Sequence, residues 1–191
     1  MDAISLAAQV INALHTIVSR RVPALESAVI SIGVIRGGTK ENNLAEQVEL
    51  LGTMRTFNPE IRKVLVDEIH KACSIARALG GDYQLSIQEG YPALRNEPGL
   101  VVFARDVAAE LVGRQSVKDA IPEMGSEDFS FFSQKVPGCY LSLGVRTPGT
   151  PMRPLHNPNF DIDESAIPLG AAMMTELALA FLEKKPLEKA S

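Results

Sequence analysis

The 191-residue chain contains no tryptophan, and aromatic residues make up only 5% of it. Side chains that bind transition metals are also scarce, since the chain has three histidines and two cysteines. Cys73 and Cys139 lie far apart in the sequence and form no CxxC motif. This spacing disfavours a disulfide framework or a paired cysteine metal site, and it predicts reduced, mostly buried thiols in a cytoplasmic protein.

The chain also lacks an excess of positive charge, because 19 basic residues face 23 acidic ones and the net charge is -4. We therefore expect neither nucleic acid nor an anionic membrane surface as a partner. No run of eighteen apolar residues occurs, so no membrane span is expected. Asp2, Gln9 and Asn12 interrupt the apolar start of the chain, which predicts an amphipathic helix rather than a secretory signal.

The first part of the chain alternates between helical and strand periodicities. A helix is predicted over residues 4–18, with His15 on its apolar stripe, followed by two strands, "SAVISIGVIRGG" and "QVELLGTMRTF", that form an antiparallel pair. Asn58 and Pro59 then begin a second helix, which Gly80 and Gly81 end. "DYQLSIQEGYPAL" alternates as a further strand. This order is the split β-α-β pattern without its first strand.

The pattern changes after Pro92, where a second region begins. "NEPGLVVFARDVAAELVG" predicts a helix, "GSEDFSFFSQKV" predicts a short helix capped by Ser126, and "GCYLSLGV" predicts a buried strand. A proline-rich loop then leads to a final helix from about Ser165 to Glu183, and the polar tail beyond it is expected to fray. The sequence predicts an α/β protein with domains at residues 1–94 and 95–191.

His156 stands in the proline-rich loop "MRPLHNPNFDIDE", residues 152–164. An exposed or capping role is the ordinary expectation for such a histidine. Two features favour a metal ligand: the loop follows a predicted buried strand, and its prolines would fix the direction of the side chain. One histidine alone cannot form a zinc site, because catalytic zinc takes three protein ligands.

Other polar residues have simpler interpretations. Asp161, Asp163 and Glu164 precede a helix, where acidic side chains cap the N-terminus and complement the dipole. Spacing alone does not decide whether the acids of "EMGSEDF" belong to an ordinary helix start or face a cleft. His15 and His70 lie near apolar helical stripes and are expected to be partly buried structural residues.

Five segments taken together resemble the C-terminal part of the metal-dependent amidohydrolases that include aminoacylase, hippurate hydrolase and auxin-conjugate hydrolase. These segments are "GTKEN", "VELLGTMRTF", "PEMGSEDFSFF", "YLSLGV" and "LHNPNFDIDESAIPLGAAMM". The resemblance implies an incomplete ferredoxin-like dimerisation domain, or lid, followed by the C-terminal part of an α/β metallo-hydrolase catalytic domain. It also implies hydrolysis of an N-acyl amino acid at two divalent metal ions, such as Zn, Mn, Co or Ni.

The resemblance assigns roles to four residues of this chain. His156 matches the last metal ligand of the family, and Asn42 matches a lid asparagine near substrate. Arg55 matches an arginine that can pair with a substrate carboxylate, although an exposed strand arginine is an equally good interpretation. Glu127 lies in a block that lines the family's cleft. The general base, the other metal ligands and the first lid strand would all lie upstream of this chain.

Two function classes remain open at the sequence level. The first is a C-terminal portion of an amidohydrolase that takes an N-acyl amino acid and forms a homodimer through its lid; the isolated chain would then bind no metal by itself. The second is a non-catalytic, homodimerising module derived from such a lid. A ferredoxin-like nucleic-acid binder is disfavoured, because the chain is acidic and has no basic, aromatic-rich strand.

Overall fold

The computed structural model describes residues 1–184 and divides into two compact units. The first unit contains residues 1–93 together with Met124–Glu127, and the second contains the remaining residues from Leu94 onward. The seven main elements are helices α1 to α5 and strands β1 and β2, with a short 3-10 turn at Arg114–Ser116. Their bounds are α1 Ala3–Arg21, β1 Ala28–Gly37, β2 Val48–Thr56, α2 Pro59–Ala78, α3 Pro98–Val112, α4 Phe129–Ser133 and α5 Ala166–Lys184.

In the first unit, β1 and β2 form the predicted antiparallel pair, with Ala28 opposite Thr56 and Gly37 opposite Val48. The register shifts between Ile32 and Val34, which marks a bulge. Helices α1 and α2 pack against each other and against one face of this hairpin. The core therefore lies between two helices and one sheet face, as the period-two pattern of both strands requires.

The ends of α2 follow from local sequence signals. The Asn58 side chain accepts a hydrogen bond from the Glu60 N–H at 2.9 Å, and Pro59 occupies the first helical position. At the other end, Gly81 N–H donates to the Ala76 carbonyl and Gly80 N–H donates to the Arg77 carbonyl. This bond pair is a Schellman motif, and Gly80 adopts the left-handed conformation that it needs, with φ 86°.

Helix α1 buries one face against the core. Val10, Leu14 and Ile17 are the buried residues, whereas Ile4 is half exposed. The expectation that His15 and His70 are partly buried was wrong, since both side chains are exposed. His15 directly follows the buried Leu14, and a step of one residue turns a side chain away from the helix face that contacts the core.

The prediction of a strand in "DYQLSIQEGYPAL" was also wrong for the described residues. Burial does alternate there, with Tyr83, Leu85 and Ile87 half-buried and their neighbours exposed. However, residues 84–88 make no main-chain hydrogen bond to other main-chain groups within residues 1–184. The sequence signal for a strand is present, but a strand also needs a neighbouring strand to bond with.

In the second unit, α3 packs against α5, and the rings of Phe103 and Phe181 meet edge to face at 6.0 Å. The Glu97 carboxylate caps α3 by accepting the Leu100 N–H. The main-chain N–H groups of Gly99 and Leu100 together lower the pKa of Glu97. The side chain of Asn96 bonds to both main-chain groups of Tyr140, at 2.8 and 2.9 Å. Asn96 thus holds the segment that follows Gly138.

That segment, "GCYLSLGV", does not form the predicted buried strand. It pairs with no strand in the described chain, and Leu141 and Leu143 are exposed. Both leucines are apolar enough to have suggested burial, yet residues 1–184 leave each of them more than 40% exposed. Cys139 within this segment and Cys73 in α2 are both free, half-buried thiols, and burial raises the pKa of each.

Helix α5 begins one residue after the predicted start and holds Pro168 in its first turn. It is long and apolar enough to cross a membrane by length and composition alone, and the expectation of no membrane span stays untested. A core helix of a folded protein passes the same test. Almost none of this helix is buried, and Ile167, Met174 and Leu182 each expose more than half of their surface. The predicted frayed tail, residues 185–191, lies outside the described residues.

Candidate functional site

His156 occupies an exposed turn of the second unit, and its backbone is unusual. The Asn157 N–H donates to the Pro154 carbonyl at 3.3 Å, which places His156 third in a four-residue turn. Its φ is 67°, and among residues 1–184 it is the only non-glycine residue with a positive φ. Histidine tolerates this region better than most residues, but such outliers cluster at ligand-binding positions.

Neighbouring hydrogen bonds hold this turn in place. The Asn157 side chain accepts the Asn159 N–H at 2.9 Å, and the Arg153 guanidinium donates to the Asn159 carbonyl at 3.0 Å. With Pro154 and Pro158 limiting the backbone on either side of it, His156 projects from a loop with few alternative conformations. A fixed direction is what a metal ligand requires.

The acids that follow do not join His156 in a metal site. Asp163 accepts the Ser165 N–H at 3.0 Å, and its own N–H donates to the Val145 carbonyl at 2.7 Å. Hydrogen bonds from the side chain and the main chain of Ser165 lower the pKa of Asp163. Asp163 thus bonds to the residue that precedes α5, and the capping role predicted for it stays a prediction.

The donor set of the described chain does not fit a dinuclear metal centre. Residues 1–184 contain no group of three or more His, Cys, Asp or Glu side chains that could hold a metal ion. His156 could contribute one ligand, and a complete centre would need donors from outside these residues.

Arg55, in β2, holds a short segment that is distant in sequence. Its Nη1 donates to the Met124 carbonyl at 2.7 Å and to the Ser126 Oγ at 2.9 Å. Met124–Glu127 belongs to the first unit, although the chain on both sides of it belongs to the second. The guanidinium therefore already has protein acceptors on one of its nitrogens, whatever else it binds.

This contact also corrects the predicted role of Ser126. Helix α4 begins at Phe129, with Asp128 in the N-cap position and no side-chain capping bond, so Ser126 lies too far ahead to cap it. The Ser126 hydroxyl accepts from Arg55 instead. Sequence patterns carry no signal for this bond, because its partners are 71 residues apart.

The remaining candidates lie in the first unit. Asn42 is exposed in the loop between β1 and β2, and Glu127 is half-buried directly after Ser126. Arg55 and Glu127 are thus brought near one another through the held segment, while Asn42 comes from a separate loop. His156 belongs to the second unit.

Comparison with known proteins identifies the family. Residues 7–180 match the model of peptidase family M20/M25/M40. The chain belongs to this family. It is 33% identical over 184 residues to N-acetylcysteine deacetylase of Bacillus subtilis, covering 96% of this chain and 47% of that protein. It is 27% identical to IAA-amino acid hydrolase ILR1-like 2 of Arabidopsis thaliana, covering 97% of this chain and 43% of the relative.

Among solved structures, the M20 chain resembles Bacillus subtilis YXEP, described as a dinuclear metal-binding peptidase of the M20 family. The TM-score is 0.77 at 27% identity, and the match covers 96% of this chain and 47% of that one. The chain therefore spans less than half the length of these relatives. The predicted family resemblance is confirmed, as is the mixed helix and strand fold.

Proposed function

We propose that this chain is the C-terminal portion of an M20 amidohydrolase that cleaves N-acyl amino acids. The observation that carries the proposal is the match over residues 7–180, which includes the loop that holds His156 in a left-handed backbone conformation. The names of the deacetylase and the IAA-amino acid hydrolase both describe release of an amino acid from an acyl group.

Within this proposal, residues 1–94 form a ferredoxin-like lid without its first strand, and residues 95–191 complete the catalytic domain. The helix, hairpin and helix of the first unit, followed by an extended segment, support the lid assignment. The lid would pair with a second copy, as a homodimer in the cytoplasm. The two free cysteines agree with a reducing compartment.

His156 would supply one ligand to a pair of divalent metal ions, such as zinc, manganese, cobalt or nickel. The other ligands and the general base would come from the part of the protein that this chain does not include. Asn42, Arg55 and Glu127 would contact the substrate. For Arg55, the bonds to Met124 and Ser126 favour a second contribution, which is to hold the segment that carries Glu127.

The role of His156 can be tested in a fusion protein. The chain is joined to the portion of Bacillus subtilis N-acetylcysteine deacetylase that it does not cover, and bound metal is measured by mass spectrometry beside turnover of N-acetylated amino acids. His156→Ala should lower bound metal and turnover together, by about tenfold to a hundredfold, since ligand loss weakens the site.

His15→Ala and His70→Ala are the matched controls, because both histidines are exposed on helices of the first unit. Both variants should keep metal and activity. A His156→Ala protein with full metal content and unchanged turnover would show that His156 is only a turn residue.

A further inference from the structure

The Arg55 side chain lies on the outer face of the β1–β2 hairpin. Its neighbour Met54 packs against the core cluster of α1 and α2, and successive side chains of a strand point to opposite faces of a sheet. Val29, which is opposite Arg55 in the register, is 38% exposed. The guanidinium of Arg55 is therefore on the side of the hairpin that the two helices do not cover.

Both hydrogens of Arg55 Nη1 are used by the segment Met124–Glu127. Nη1 lies 2.7 Å from the Met124 carbonyl oxygen and 2.9 Å from Ser126 Oγ. The hydrogens of a guanidinium lie in the plane of the group. Two acceptors on one nitrogen therefore fix the orientation of this plane, whereas the Met124 carbonyl alone would leave it freer to turn.

The other edge of the guanidinium, formed by Nε and Nη2, has a different environment. Within residues 1–184, these two nitrogens donate to no group of the protein, and Arg55 forms no ion pair with an acidic side chain. The Nε–H and one Nη2–H point in the same direction, and this fork matches the two oxygens of a carboxylate. One edge of Arg55 is thus bonded to protein, and the other suits a carboxylate ligand.

We propose that Ser126 is a positioning residue, whose hydroxyl, together with the Met124 carbonyl, orients Arg55 so that Nε and Nη2 receive the free carboxylate of an N-acyl amino acid. This role rests on the proposed function, which supplies a substrate with such a carboxylate. Ser126 acts only through Arg55. A carboxamide in place of the carboxylate has no charge and offers a single acceptor oxygen, so the oriented fork selects substrates whose carboxylate is free.

A purely structural role for Ser126 gives a different expectation. If its hydroxyl only held Met124–Glu127 against β2, its loss would not change how Arg55 distinguishes a carboxylate from a carboxamide. If the hydroxyl orients the guanidinium, its loss weakens binding of the carboxylate by an amount comparable to one hydrogen bond. The two roles are therefore separated by a binding measurement with matched ligands.

The test uses the 191-residue chain and follows the Nε–H signal of Arg55 by NMR. The chain is titrated with N-acetylglycine or with N-acetylglycinamide at constant ionic strength. N-acetylglycine should shift the signal to saturation, and N-acetylglycinamide should not. The Nε–H signal of Arg36, which bonds to Glu49, is the internal control and should not saturate. Ser126→Ala should raise the Kd of N-acetylglycine by about threefold to tenfold.

Ser126→Thr and Ser126→Val form a matched pair, because both introduce a β-branched side chain and only the first keeps a hydroxyl. The Ser126→Thr protein should bind N-acetylglycine within about twofold of the unchanged chain, since its hydroxyl can still accept from Arg55. The Ser126→Val protein should bind as weakly as Ser126→Ala. This comparison separates the hydroxyl from any effect of side-chain size on folding.

Equal Kd values for the Ser126→Thr and Ser126→Val proteins would overturn the proposal. So would an Arg55 signal that responds to both ligands alike or to neither. The measurement needs no metal and no turnover. A fusion protein without activity would therefore count against the hydrolase assignment and leave this binding result as it stands.

Discussion

Single residues of this chain act mainly through contacts that join distant positions. The Arg55 bonds to Met124 and Ser126 are the clearest case, because they place a four-residue segment of the second half of the sequence in the first unit. The position of Arg55 in a strand was predictable from period-two alternation. The hydrogen-bond partners of Arg55 were not predictable, because the local sequence around Ser126 indicates a helix cap. Only the folded structure shows that the Ser126 hydroxyl accepts a hydrogen bond from Arg55.

Arg55→Ala should lower the free energy of unfolding of the first unit by about 1–3 kcal/mol, because it removes bonds from a charged donor to a part-buried carbonyl. Arg36→Ala is the matched control. Arg36 lies on the paired strand and bonds to Glu49 at 3.0 Å, but both side chains are exposed, so its loss should cost less than about 1 kcal/mol. Urea unfolding of both variants measures the difference, and equal losses would show that Arg55 does not hold the segment.

Among the helices and strands, those whose ends depend on local sequence signals were predicted correctly. Asn58, Pro59 and the Gly80-Gly81 pair predicted both ends of α2, and Pro168 predicted the start of α5. The two elements that failed, at "DYQLSIQ" and "YLSLGV", have apolar patterns typical of strands. A strand exists only with a partner, and residues 1–184 provide none for either segment.

The end of α2 gives a test at this scale. Gly80→Ala should destabilise the first unit by about 1 kcal/mol, since Gly80 has φ 86° and a side chain there is strained. Gly90→Ala is the control, because nothing lies within 4 Å of the position that a Cβ would take there. Thermal unfolding of both proteins should show a loss for Gly80→Ala only. A Gly90→Ala protein that loses as much would mean that the left-handed turn at Gly80 does not set the effect, because a glycine-to-alanine change that only restricts the unfolded chain should stabilise the protein.

At the scale of the whole molecule, the main feature is surface that the described chain leaves uncovered. The exposed apolar side chains of α5, Leu141 and Leu143, together with the unpaired segment after α2, share one explanation. Under the proposed function, these are surfaces against which the rest of a longer protein would pack. The chain spans less than half the length of the relatives it matches. The sequence predicted the family because its motifs are local, and it could not predict which surfaces stay exposed.

The central claim is that this chain supplies part of a metal centre that it cannot form alone. The most direct measurement compares turnover of N-acetylated amino acids, with added zinc, manganese or cobalt, by the chain alone and by the chain mixed with the separately expressed complementary portion of the Bacillus subtilis deacetylase. The account predicts no metal-dependent turnover by the chain alone, because residues 1–184 hold no group of three metal-binding side chains. For the mixture we expect turnover, and His156→Ala should lower it by about tenfold to a hundredfold. Metal-dependent turnover by the chain alone would contradict the account.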